Sequence, residues 1–416
     1  MPDVGFDNLF VVSAVALLVP LLLGFVPGLR VPSVVVEILA GVALGPTGLG
    51  WVRVDEVVAV LAVLVLGFLL FLAGLEIDVQ ALGGPALRSA GLGYVVTIAL
   101  GLAAGLGLQA AGWVRSGPLV AVALSATSLG LVVPVLKDAG ADHAPVGRLT
   151  VAAATVADFA AVVLLSLLFS ATGSTGATTA LLSAFAVLAV VVAVAVRRAG
   201  RSMRLGDVLL RLQDTTAQIR VRAAVVLLVG FVALAARFGI ETILGAFVAG
   251  AVLATVDRDA ASHPHLRTKL EAIGYGFLVP VFFVSSGLRL DLRGLFSDPA
   301  AALRVPVLLL ALLLVRGLPA LLFRRVLDGP ATLAAALLQA TSLPFVVAAT
   351  QIGVATGAMS GVTAAAFVSA GVLSVLLFPA AALGLLRRGD AGAGRRDSTT
   401  VGGAVGGAAR GAGAAP

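Results

Sequence analysis

The amino-acid sequence predicts an all-α polytopic membrane protein of about 13 transmembrane helices, with two inverted five-helix repeats and crossed, discontinuous helices. Three observations predict it. The 416 residues are 60% hydrophobic and only 12% charged, where soluble domains carry roughly 25% charged residues. The apolar residues gather into segments close to the ~20 that cross a bilayer. Short motifs also recur in the same order half a chain apart.

The segments are 9–26, 33–50, 57–76, 89–112, 117–136, 148–171, 177–196, 221–238, 240–256, 272–288, 303–323, 330–351 and 358–386. The first follows MPDVGFDN, which is acidic where a signal peptide begins basic, so 1–8 reads as an extracytoplasmic N-terminus and 9–26 as a retained span. Basic residues orient the rest. With the N-terminus outside, the inner loops hold Arg30, Arg88, Lys137, Arg148, a cluster from Arg197 to Arg222, Arg258, Arg267, Lys269, Arg324 and Arg325. The outer loops hold only Arg53, Arg115, Arg237, Arg289, Arg293 and Arg304. The connector 197–222 carries Val208, Leu209, Leu210, Leu212 and Ile219 and predicts an amphipathic helix on the inner surface. The last segment is followed by a cytoplasmic tail, 387–416, rich in Gly, Ala and Arg and expected to be disordered.

Composition also excludes functions. There is no cysteine, so thiolate metal sites and disulfides are absent. His143, His263 and His265 all fall in polar loops, which argues against a buried histidine site. The net charge of +7 marks cytoplasmic loops rather than nucleic-acid binding. No cofactor is expected.

Four motif pairs build the repeat. ILAGVAL (38–44) resembles FVAGAVL (247–253), and GLEIDVQAL (74–82) resembles GLRLDLRGL (287–295). ATSLGLVV (126–133) resembles ATSLPFVV (340–347), and TVAAATVAD (150–158) resembles VTAAAFVSA (362–370). The offsets are nearly constant, from 209 to 214. Repeat one therefore covers about 33–171 and repeat two about 240–386. Corresponding spans are seven apart, so the copies enter the membrane from opposite sides, as in many secondary transporters.

In such folds the site lies near the midplane, where a helix in each half is interrupted. Thr127, Ser128 and Gly130 occupy the centre of the fifth segment, and Thr341, Ser342 and Pro344 that of the twelfth. Pro344 removes a backbone donor and disfavours helix at the residue before it. Gly130 permits non-helical angles, and the hydroxyls can satisfy freed backbone groups. Asp158 falls ~15 Å into the sixth segment, where a carboxylate costs ~2.5–3.5 kcal/mol. Its repeat partner is Ala370, so the fold itself does not demand an acid. Thr155, one turn earlier on the same face, can offer a second oxygen. Arg316 either snorkels to the inner surface or faces the bundle and compensates the negative ends of the broken helices. Glu37 either lines an inner vestibule or caps the region near Arg30. Glu76 and Arg289 sit at span ends and read as interfacial.

Together VEILAGVALGPTGLG (36–50), FLLFLAGLEIDV (68–79), VPVLKDAG (133–140), LGAFVAGAVLA (244–254) and PVFFVSSGLRLDL (280–292) resemble the sodium/proton exchanger superfamily, in the monovalent cation:proton antiporter branch with the Kef-type and NapA-type proteins. The resemblance covers about residues 10–386. It implies a bacterial plasma-membrane homodimer with two crossed, partly unwound helices and an acidic pair on the next span that carries the ion. The pair here reads Ala157-Asp158, so the first acid is missing. The family's basic residue falls on Arg316. A carboxylate held away from water is either protonated or cation-bound, which makes proton and Na⁺ or K⁺ binding at Asp158 exclusive. With one acid the expected exchange is electroneutral, by alternating access. The alternatives are a cation channel and a non-transporting sensor or partner on the same fold. No second buried carboxylate or Ser/His set accompanies Asp158, so an enzyme is not expected.

Overall fold

A computed structural model describes residues 5–25, 31–76, 84–169, 175–200, 215–256 and 266–405. Among them no strand forms, and the one β-type pairing is an isolated bridge between Val114 and Met359. The helices, in order, are α1 (Asp7–Gly24), α2 (Ser33–Leu44), α3 (Glu56–Leu75), α4 (Gly84–Ala110), α5 (Gly117–Ser125), α6 (Leu129–Asp138), α7 (Pro145–Phe169), α8 (Thr175–Gly200), α9 (Ile219–Arg237) and α10 (Thr242–Val256). They continue with α11 (Leu266–Ile273), a π-turn (Gly274–Leu278), α12 (Val279–Leu288), α13 (Leu292–Ser297), α14 (Pro299–Ala302) and α15 (Arg304–Gly317). A 3-10 stretch (Leu318–Arg325), α16 (Gly329–Gln339), α17 (Pro344–Ala355) and α18 (Gly361–Val405) complete the chain.

Ten helical stretches are long and apolar enough to cross a membrane, and three shorter apolar helices, Ser33–Leu44, Ser183–Ala195 and Thr242–Thr255, accompany them. Among the described residues, ten of the expected 13 spans are long enough to cross. One of the three shorter helices has a local cause. The segment expected over 33–50 stops at Leu44, because Gly45-Pro46 follows and the chain turns through Gly48 and Gly50. α18 runs on to Val405 rather than ending at 386, and 406–416 lie outside the described residues. Most of the expected amphipathic connector, 201–214, also lies outside them, as do His263 and His265.

The helices pack in two groups. In one, α2 lies on α12 and α3 on α10, with α1 and α9 outside them. In the other, α4, α5, α7, α15, α16, α17 and α18 pack on one another. The first group is built on glycines that the sequence repeat pairs. A Cβ on Gly41 would strike the Val284 carbonyl, and one on Gly287 would strike that of Ile38. Likewise a Cβ on Gly74 would strike the Phe247 carbonyl, and one on Gly250 that of Phe71. Gly41 and Gly250 are repeat partners, as are Gly74 and Gly287. Each half thus lends one glycine to each crossing, and backbones meet as small residues allow in membranes. We expect Gly287→Leu to be far worse than Gly276→Leu, where a Cβ meets nothing. Overpacking costs typically ~1–3 kcal/mol, and more where backbone must move, so the thermal midpoint in detergent should fall for Gly287→Leu alone.

Candidate functional site

Two interruptions meet in the second group. α5 ends at Ser125, and Ala126 and Ser128 are extended (ψ 156° and 93°) before α6 begins at Leu129. α16 ends at Gln339, and α17 begins with Pro344 in its first turn, where a missing N–H costs nothing. The two gaps bond to each other. Ser128 N–H donates to the Thr341 carbonyl at 2.9 Å, and Leu343 N–H donates to Ser128 Oγ at 3.2 Å. Thr127 Oγ1 donates to the Gln339 carbonyl at 2.6 Å. Backbone polar groups freed in the membrane are therefore satisfied across the crossing. Pro344 stands at its gap, in the first turn of α17. Gly130 does not, because it lies in the first turn of α6, and its φ is not positive.

The two helix starts are held differently. Ser342 N–H, before α17, donates to Ser374 Oγ at 3.2 Å, so that start is capped by hydroxyls. At α6 the partner is Asp158. Its carboxylate lies beside the backbone N–H groups of Leu129 and Thr127. A helix N-terminus carries about half a positive charge and favours an anion. The asymmetry follows from sequence, since the counterpart of Asp158 is Ala370.

Asp158 is part-exposed to a chamber of about 150 Å³, room for roughly five waters at ~30 Å³ each. Thr127, Ser128, Gly130 and Pro344 share its wall, while Leu69, Leu70, Phe247 and Phe283 supply apolar surface from the first group. The chamber thus lies on the seam between the two groups. Thr341 and Ser342 are fully buried behind it, and Thr341 Oγ1 donates to the Leu337 carbonyl. Thr155 is not in the wall and donates to Val151 O at 2.9 Å. Glu37 is also away from it, 2% exposed on α2, one turn from the Gly41 crossing.

Arg316 faces the bundle rather than a surface. It is 1% exposed, and its Nε donates to Thr127 Oγ1 at 2.8 Å and its Nη1 to Thr97 Oγ1 at 3.2 Å. Through Thr127 it reaches the last carbonyl of α16. Among the described residues no salt bridge joins it to Asp158.

Sequence reasoning missed Glu76. It lines the same chamber and accepts a hydrogen bond from the Tyr275 hydroxyl at 3.3 Å. A signal for it existed. Its repeat counterpart is Arg289, so this pair differs in charge between the copies, as Asp158 and Ala370 do.

Residues 13–383 match the family described as sodium/hydrogen exchanger, transmembrane. The chain belongs to the sodium/hydrogen exchanger family. YjbQ of Bacillus subtilis, which carries the name of a Na⁺/H⁺ antiporter, is 31% identical over 254 residues, covering 61% of this exchanger-family chain and 40% of YjbQ. A Na⁺/H⁺ antiporter of Enterococcus hirae is 27% identical over 269 residues, covering 63% and 67%. In fold, the solved sodium proton antiporter MjNhaP1 of Methanocaldococcus jannaschii superposes with a TM-score of 0.65 at 16% identity, covering 91% of this chain and 98% of that one.

Proposed function

We propose that the protein is a secondary transporter, not an enzyme, which exchanges a monovalent cation, Na⁺ or K⁺, for protons by alternating access. The observation that carries this reading is the Asp158 carboxylate at the start of α6, in a chamber on the seam between two packed groups. The α6 amides stabilise it as an anion between loads, and proton and cation compete for the same oxygens. Thr127 and Ser128 lie within the same wall, and main-chain oxygens of the gaps complete an oxygen shell of the kind a hard cation takes.

Among the wall residues Gly130 and Tyr275 are exposed, and Tyr275 meets Glu76 on the side of Arg267. By the positive-inside rule that side is cytoplasmic, with the N-terminus outside and the C-terminus inside. We read this conformation as one that faces inward. Toward the other side the seam is joined by Gln351 Nε2, on α17, donating to Ser286 Oγ on α12 at 2.9 Å. A channel would need a path open at both ends, and this bond and the apolar packing of Phe283 and Phe345 argue against one. By resemblance the assembly is a homodimer in the plasma membrane.

Swapping one proton for one cation at Asp158 moves no charge so long as Glu76 keeps its state, and we predict electroneutral exchange. The test uses proteoliposomes with fixed ion gradients and a clamped membrane potential. Rates independent of voltage are expected. A rate that follows the imposed voltage would mean that a second carboxylate cycles too.

A further inference from the structure

Glu76 is placed where a carboxylate is least welcome. It caps the C-terminal end of α3, the negative end of a helix dipole, and its own N–H bonds back to the Leu72 carbonyl. Something must hold the side chain there. The π-turn before α12 supplies it. Gly274 has no room for a side chain, since a Cβ would strike Leu72 Cδ1 and come within 3.1 Å of Phe68 Cε1. The turn is thereby pressed onto α3, and the next residue, Tyr275, meets the end of that helix. Such wide turns recur at functional sites. Across the seam, Gly130 completes the arrangement. A Cβ there would lie 3.5 and 3.6 Å from the two Glu76 oxygens and 3.7 Å from the Tyr275 hydroxyl. The acid and the phenol therefore rest on the bare face of Gly130, next to Leu129, whose N–H lies beside Asp158.

We propose that Tyr275 is a positioning residue: its hydroxyl holds the Glu76 carboxylate on the face of Gly130, so that Glu76 takes part in capturing the cation from the chamber mouth on its way to Asp158. This rests on the transport reading above. The charged groups facing Glu76 are Arg267 and Glu271 from α11, bonded to each other at 2.7 Å, and Asp158 from α7. Arg267 is engaged with Glu271, which leaves the phenol as the direct hydrogen-bond donor to Glu76 among the described residues. The role assigned to Gly130 also changes. Its value lies in the missing side chain facing Glu76, not in backbone freedom.

Tyr275→Phe keeps the ring and removes the hydroxyl. In proteoliposomes its apparent KM for the cation that the wild type transports best, among Na⁺, K⁺ and Li⁺, should rise roughly 3- to 10-fold with the maximum rate unchanged. In a Glu76→Gln background the same change should do nothing, because the amide that the hydroxyl then holds offers no charge to the cation. Should Glu76→Gln not transport, cation-dependent thermal stabilisation of the purified protein gives the same comparison, since a bound ion raises the melting temperature by mass action. An unchanged KM in Tyr275→Phe overturns the proposal, as does an equal rise with and without Glu76. The wild type and Asp158→Asn run alongside. If the wild type neither transports nor is stabilised by any of the three cations, the transport reading falls and takes this proposal with it. If the wild type works and Tyr275→Phe matches it, this proposal alone falls.

Discussion

Asp158→Asn is expected to reduce cation-driven proton movement in everted vesicles to the background of vesicles lacking the protein. The argument is chemical. Asn has nearly the shape of Asp, and its side-chain oxygen can accept from the Leu129 N–H that lies beside the carboxylate. The start of α6 therefore stays capped, and the fold should survive. Asn cannot carry a proton at working pH, nor offer a full charge to a cation, so both halves of the exchange are lost together. Removing a charge from a part-buried position also lowers its desolvation cost, so the melting temperature should hold or rise. A dye assay with Na⁺, K⁺ and Li⁺ beside a melting curve separates lost chemistry from lost fold. In the wild type the competition has its own signature: the apparent KM for the cation should climb as pH falls, with the maximum rate unchanged. Exchange retained by Asp158→Asn would move the ion site elsewhere in the chamber, with Glu76 the carboxylate at hand.

What could be read from sequence divides by range. The gap before α17 is local, because Pro344 alone disfavours helix at Leu343 and tolerates a helix start. The gap before α6 is not local. Ala126, Thr127 and Ser128 contain no breaker, and they are extended because the other segment takes their hydrogen bonds: Ser128 N–H goes to Thr341, and Thr127 to Gln339. Only the internal repeat made that gap visible in advance, and it led to Gly130 being credited with a break that it does not make. Asp158 was legible as a costly charge in a single copy. Glu76 was not read, because at a span end an acid costs little. Its meaning depends on α6 starting at mid-depth, which brings the first turn of one helix beside the last residue of another. Arg316 left two readings open on sequence, since its spacing from Arg324 suited a side chain reaching for water. Its partners, Thr97 and Thr127, come from two other helices.

Those partners set the second large effect. Arg316→Met should cost the protein both stability and transport. The guanidinium is 1% exposed and, among the described residues, forms no salt bridge; it is held by the hydroxyls of Thr127 and Thr97, with the Asp158 carboxylate acting on it from beyond contact. α5 ends near it at Ser125 and α16 at Gln339, and each contributes about half a negative charge at its C-terminus. Thr127 ties the two together, receiving Arg316 Nε at 2.8 Å and donating onward to Gln339 O at 2.6 Å. Leaving buried hydrogen-bonding groups unsatisfied costs ~1–3 kcal/mol, because Thr97 and Thr127 are then left facing an apolar chain. Arg316→Lys distinguishes charge from geometry. Lysine keeps the charge but is a point donor that cannot span Thr97 and Thr127 as a planar fork does. The expected order of detergent melting temperatures is wild type, then Arg316→Lys, then Arg316→Met, with transport in the same order. If Arg316→Met melts with the wild type and still exchanges ions, the crossing is held by its backbone bonds alone, and the buried charge has some other purpose.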